Sequence, residues 1–108
     1  MNERTGPVLL EILGEREAQD DKWGEQNHPG SMWLAILTEE VGEAAKALLE
    51  NFNSPPLPSK YGDEARDPAG LRSELIQVAA VATAWVEAID RAYDNDPGYV
   101  PGKEADEG

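Results

Sequence analysis

Glu39, Glu40 and Glu43 fall within one short stretch, LTEEVGEAAKALLE, residues 37–50. Glu40 and Glu43 are three residues apart, so on a helix they share a face one turn apart. A second pair with the same spacing, Glu74 and Gln77, lies within LRSELIQVAAVATAW. Both pairs border apolar residues, Leu37, Val41, Ala44 and Leu48 in the first case and Leu75, Val78 and Val81 in the second. If the two segments are antiparallel helices, the pairs face one another across the seam. Carboxylates brought together repel, and partial burial pushes their pKa values up. A hard divalent cation relieves both effects, because Mg²⁺ takes oxygen ligands in octahedral geometry and keeps several waters. Helical bundles commonly hold carboxylate metal sites between facing helices. Spacing alone leaves two readings open: an ordinary solvated acidic face, or half of a magnesium site.

The elements that must position these groups are helical. Pro7 opens a pattern carrying Val8, Leu9, Ile12 and Leu13, and proline is tolerated in a first helical turn. Residues 23–30, WGEQNHPG, read as a loop. A second helix is predicted over about residues 31–51, with Leu34, Leu37, Val41, Ala44 and Leu48 as its core stripe at the helical period. Three prolines and a glycine make residues 53–67 a connection, with a short helical turn near its end. Asp67 as a cap and Pro68 at the first helical position start a third helix reaching about Ala92. Its expected core face is Leu71, Leu75, Val78, Ala82, Trp85 and Ile89. No internal repeat and no strand-like alternation is visible. The chain therefore reads as all-α, a small bundle of three to four helices in one domain over residues 1–93, followed by a flexible acidic tail, 94–108. Three helices make an incomplete bundle, and the alanine-rich strip around Ala79 to Ala84 suits close helix approach, so completion by a homodimer or homotetramer is expected.

Composition narrows the chemistry. The chain has 108 residues and a formal net charge of -13, which repels nucleic acid and anionic membrane. It would also repel a free triphosphate, so phosphate chemistry here needs divalent cations to reverse the local sign. The absence of cysteine removes thiolate zinc sites and thiol nucleophiles, and fits a cytoplasmic location. The longest apolar-leaning run, residues 75–86, falls short of the roughly 20 apolar residues of a membrane span, and the N-terminus lacks the basic start of a signal peptide.

In order, EEVGE and ELIQ in an all-helical chain of this size resemble the MazG-like, all-alpha nucleoside triphosphate pyrophosphohydrolases. That family's motif is Glu-x-x-Glu, a connection, then Glu-x-x-Asp, on two helices of a four-helix bundle. Upstream, KWGEQNHPGSMWLAILTEEVGE is similar to the lead-in of the branch acting on deoxycytidine-type triphosphates. The resemblance runs from Gln19 to Ile89 and is greatest to small MazG-like proteins of phage and bacterial genomes. It implies that Glu40 and Glu43 are the first metal-binding pair, that Glu74 opens the second, and that Glu39 is the acid preceding the first pair. These four glutamates would form the catalytic group. Gln77 stands where the family has Asp. Its amide oxygen can ligate a metal but brings no charge, which implies weaker metal binding. The implied reaction converts a ribo- or deoxyribonucleoside triphosphate and water to the monophosphate and pyrophosphate. The cofactor would be Mg²⁺, with Mn²⁺ as an alternative, activating a water that attacks the α-phosphorus.

Around that centre, Lys46, Arg72, Lys22 and Lys60 are candidates to hold pyrophosphate, Lys46 and Arg72 being nearest the acids in sequence. Each is equally readable as a surface charge. Trp23 could stack on a nucleobase, and His28 could hydrogen-bond a base edge or phosphate. For both, simple packing of the loop on the bundle competes. Gln19 and Asn27 could read a base edge through their amides, whereas Trp33 and Trp85 are expected in the core. Two other classes compete with the enzyme: a catalytically weak nucleotide-binding module of the same fold, and a helical interaction protein whose acids are merely solvated.

Overall fold

A computed structural model describes residues 2–53 and 70–103, residues 51–53 by their backbone. Three helices make up the described chain: α1, Thr5–Trp23, α2, Gly30–Asn53, and α3, Leu71–Asn95. No strand occurs among the described residues. Lys60, the connecting segment 54–67 and the cap proposed at Asp67 and Pro68 lie outside them. Pro7 sits in the first turn of α1, as its fixed φ and missing N–H favour. Gly24 ends α1 with φ of 72° and donates its N–H to Asp20 O at 2.8 Å. That positive φ is the region an L side chain avoids, so glycine is what lets the chain leave the helix here.

α3 is the middle element and packs against both α2 and α1. α2 runs antiparallel to it. Trp33 near the start of α2 therefore meets Trp85 near the end of α3, with ring centroids 6.5 Å apart and planes 9° from parallel. The seam between them is built from small residues, with Ala44, Ala47, Ala80, Ala84 and Ala88 all buried together with Trp33 and Val81. Alanine stems let helix axes come close, toward the short end of the usual 8–10 Å.

α1 is held to α3 chiefly by charge. Arg16 is the buried charged residue of the described chain. Its Nη2 donates to Glu87 Oε1 at 2.6 Å and to Asp20 Oδ1 at 3.0 Å, its Nε to Glu87 Oε2 at 3.3 Å, and its Nη1 to Gln19 Oε1 at 3.0 Å. Three acceptors around one planar guanidinium satisfy a cation that would otherwise be costly to bury. Glu87 in turn is what holds the Arg16 cation more firmly protonated than usual. Arg72 pairs with Glu11 at the opposite end of α1.

The core differs from the sequence expectation in one respect. Leu34, Val41 and Leu48 were expected in the seam, yet they are 56%, 49% and 47% exposed, and Leu75 of α3 is 52% exposed. α2 is rotated so that Trp33, Ala44 and Ala47 face α3 instead. α2 is apolar over more than half of its circumference, so its period names a broad arc and leaves open which edge of it is buried. α3 also runs three residues further than expected, to Asn95. Beyond it, within the segment expected as a flexible tail, Tyr99 N–H donates to Asp96 O at 2.8 Å and its ring sits edge-on to Tyr93, centroids 6.3 Å apart. No described helix is long and apolar enough to cross a membrane.

Candidate functional site

Antiparallel packing brings the two acidic pairs together. Glu40 lies partly buried in the α2/α3 seam, close enough to Glu74 for a hydrogen bond between the carboxyl groups, with Glu39 and Glu43 adding their charge. Burial first, and then the neighbouring charges of Glu74, Glu39 and Glu43, push the Glu40 carboxyl above the ordinary carboxylate range. One turn further along, Glu43 and Glu74 line a small cavity of about 110 Å³ with Lys46, Ala47 and Glu50. Glu50 was not singled out from the sequence. Its signal was present, because it stands seven residues after Glu43 and so returns to the same face after two turns. Among the described residues no three His, Asp or Glu side chains converge, as placed, into a ready metal cage.

A second cleft adjoins the acids. It holds about 210 Å³ and is lined by Gln19 and Trp23 from α1, Gln26 from the loop, Trp33, Ile36 and Glu40 from α2, and Gln77, Val81 and Ala84 from α3. Two aromatic rings and two amides stand at one end, and Glu40 and Gln77 at the other. Lys22 Nζ lies 4.7 Å from the centroid of the Trp23 ring, a cation–π contact. A larger cleft of about 370 Å³ lies beyond Trp33, toward the end of α3, and contains His28, Trp85, Arg91 and Tyr99. It contains none of the four candidate catalytic glutamates. His28 packs edge-on to Trp33 there, centroids 5.0 Å apart, and Arg91 donates to Asn27 Oδ1 and Gln26 O at 3.1 and 3.0 Å. The indole Nε1 groups of Trp33 and Trp85 are buried without a protein acceptor.

The candidate residues thus divide. Glu40, Glu43, Glu74, Gln77 and Lys46 border the acidic seam, and Trp23 and Gln19 join it through the adjoining cleft. His28 lines the other cleft. Arg72 is engaged with Glu11 through both of its terminal nitrogens. Glu39 is exposed and acts on Glu40 through its charge.

The raised Glu40 pKa has a sign that can be tested. In the pH window between its ordinary and its raised value, the folded chain holds this proton more tightly than the unfolded chain. Stability contributed by Glu40 is therefore present at the acid end of that window and is lost as pH rises through it. Glu40→Gln is expected to remove that slope and to raise the melting temperature of the metal-free protein near pH 7 by a few degrees. Thermal melts followed by circular dichroism from pH 5 to 8 check this. A variant melting below wild type at pH 7 would contradict the crowding of carboxylates in the seam.

Compared with family models, curated proteins and solved structures, the chain matches none.

Proposed function

We propose that the protein is a divalent-metal-dependent nucleoside triphosphate pyrophosphohydrolase of the MazG-like kind. One observation carries the reading: a cleft with two tryptophan rings at one end and Glu40 with Gln77 at the other, opening onto the seam where Glu43 and Glu74 stand. A nucleotide has the same polarity, a flat apolar base at one end and phosphates that require cations at the other. The donor set suits Mg²⁺ or Mn²⁺, being all oxygen and over-charged in the metal-free state, as the Glu40 shift records.

Glu40, Glu43 and Glu74 would hold the metal, with the Gln77 amide oxygen as a neutral fourth donor and Glu50 beside them. When bound, the cation would supply neutralisation of the phosphates and a lowered pKa for a water molecule. Glu39 keeps the entrance anionic, so that nucleotide enters only with its cations. Lys46, on the rim of the acidic cavity, is placed to meet a phosphate oxygen. Trp23 and Trp33 hold the base, and the Gln19 and Gln26 amides face its edge. The same reading expects a homo-oligomer, since three helices leave the bundle open.

The test is release of pyrophosphate from a panel of ribo- and deoxyribonucleoside triphosphates, in Mg²⁺ and then in Mn²⁺, followed by chromatography. Pyrophosphate and monophosphate in equal amounts, dependent on metal, are expected. Nucleotide-dependent thermal stabilisation without product would instead mark a binding module, consistent with the missing charge at Gln77. Neither product nor stabilisation with any nucleotide would leave the helical interaction protein.

A further inference from the structure

The two helices of the acidic seam have a second flank. Around α2, the buried line Trp33, Ala44 and Ala47 has Glu40, Glu43 and Glu50 on one side, while Leu34, Val41 and Leu48 lie on the other, at 100° per residue. Around α3, Val81, Ala84 and Ala88 line the buried core with Trp33, and Glu87 turns toward α1 through Arg16. Leu75, Val78 and Val86 lie past the α2 contact, away from α1. In antiparallel neighbours, the same sense of rotation from the seam reaches the same side of the pair. The two apolar arcs therefore merge into one face, opposite the flank that carries α1 and the acids.

We propose that this face seats a second copy of the chain, related by a two-fold axis, so that α2 and α3 of both copies form a four-helix bundle. Charge selects this occupant. The chain is 29% charged with a net charge of -13, so like copies repel almost wherever they meet. Yet none of residues 34, 35, 37, 38, 41, 42, 45, 48 and 49 of α2, nor 71, 75, 78, 79, 82, 86 and 89 of α3, carries a charge. Here two copies can meet without opposing carboxylates. Size agrees, because a handful of Leu and Val side chains about half exposed, with their partly buried neighbours, amounts to on the order of 700 Å² per copy, near the roughly 800 Å² per partner of a standard interface. Spacing agrees as well. Leu34, Val41 and Leu48 repeat every seven residues, the period of a seam that packs against another helix pair. The need is internal too, since no large side chain of the described chain is completely buried, and an alanine-rich seam removes little apolar area from water. An isologous dimer of this kind presents the same face from both copies and leaves each acidic seam on its outer flank. Association is thus independent of metal and nucleotide, and it can stand or fall apart from the reaction proposed above.

Sedimentation equilibrium on the full chain without metal or nucleotide, across a hundredfold concentration range, is the first arm. A mass of twice 11.8 kDa is expected. Val41→Arg places a charge on each side of the axis and is expected to weaken association at least about 100-fold. The cysteine-free sequence provides a second arm that leaves the fold intact. Single-cysteine variants L34C, V41C and L48C are oxidised, with E17C on exposed α1 as control. At least one of the three is expected to give covalent dimer, and the control none. A tetramer split by Val41→Arg also supports the proposal. Wild type at the mass of one chain throughout overturns it, and that is the result if another part of the chain covers the face. An assembly whose mass survives Val41→Arg, or E17C linking as readily as the three, overturns it too.

Discussion

Glu43→Ala is expected to reduce metal-dependent release of pyrophosphate by at least about 100-fold, the scale seen when one preorganised electrostatic partner of a reacting phosphate or oxyanion is removed. Glu43 borders the cavity it shares with Glu74, Lys46 and Glu50. It is an exposed residue of α2, so its truncation leaves the Trp33 and alanine seam in place, and the melting temperature should move little. Loss of rate with an unchanged melt is therefore the signature of a lost ligand. Gln77→Asp makes the opposite test at the same centre. It restores a negative oxygen beside Glu40 in the shared cleft. In the absence of metal it should lower stability, because a further carboxylate joins a seam where Glu40 is already crowded. With Mg²⁺ it should raise turnover at low metal concentration more than at saturation. The measurement is initial rate against metal concentration for wild type and both variants. If Glu43→Ala retains wild-type rate, the acids are a solvated face. If Gln77→Asp is inactive alongside an inactive wild type, the binding module is the better description.

Arg16→Ala is expected to be the most destabilising single change at a charged position. The Arg16 side chain is 10% exposed, whereas its partners Glu87 and Asp20 are 42% and 55% exposed. Removing one member of a fully buried ion pair costs about 3–5 kcal/mol because the other charge is stranded. Here the carboxylates can rehydrate, so the loss falls to about 2 kcal/mol, near the value of charge-assisted hydrogen bonds alone. In a domain of this size that lowers the melting temperature by roughly 10 °C. Arg16→Lys keeps the charge but not the fork that meets Glu87 through two nitrogens, so about half of the loss should remain. Circular dichroism melts separate the three proteins. A melt of Arg16→Ala within about 2 °C of wild type would show that the cation does not hold α1 to α3. The consequence reaches the cleft, because α1 carries Gln19 and Trp23, so nucleotide binding should weaken even though Arg16 touches no acid of the seam.

How much of this could be read from residues alone differs by element. The helices follow from periodicity and punctuation: Pro7, Gly24 and the apolar spacing of α2 bound them to within a few residues. The approach of Glu40 to Glu74 follows from two equal spacings on antiparallel neighbours. The rotation of α2 did not follow. Leucines weigh most in any reading of a stripe, and Leu34, Val41 and Leu48 drew the expected core toward themselves, whereas close packing is made by Ala44 and Ala47, whose signal is weak. Arg16 was hidden for a similar reason, because within GEREAQDD a buried arginine has the same local neighbours as an exposed one. The cleft could not be anticipated either. Gln19 and Gln26 come from α1 and the loop, and only folding sets them beside Gln77.

The alanine seam also sets a dimension. Side chains at a helix contact decide the distance between axes, and alanine brings that distance near its minimum. The spacing of Glu40 from Glu74 across the seam is inherited from it. A valine at Ala44 or Ala84 would do more than crowd the interior. It would move one rank of oxygens away from the other, and with it the size of ion the seam can grip. In this chain the smallest buried residues act as the gauge of the site, and selectivity among divalent cations is written in methyl groups that never touch the metal.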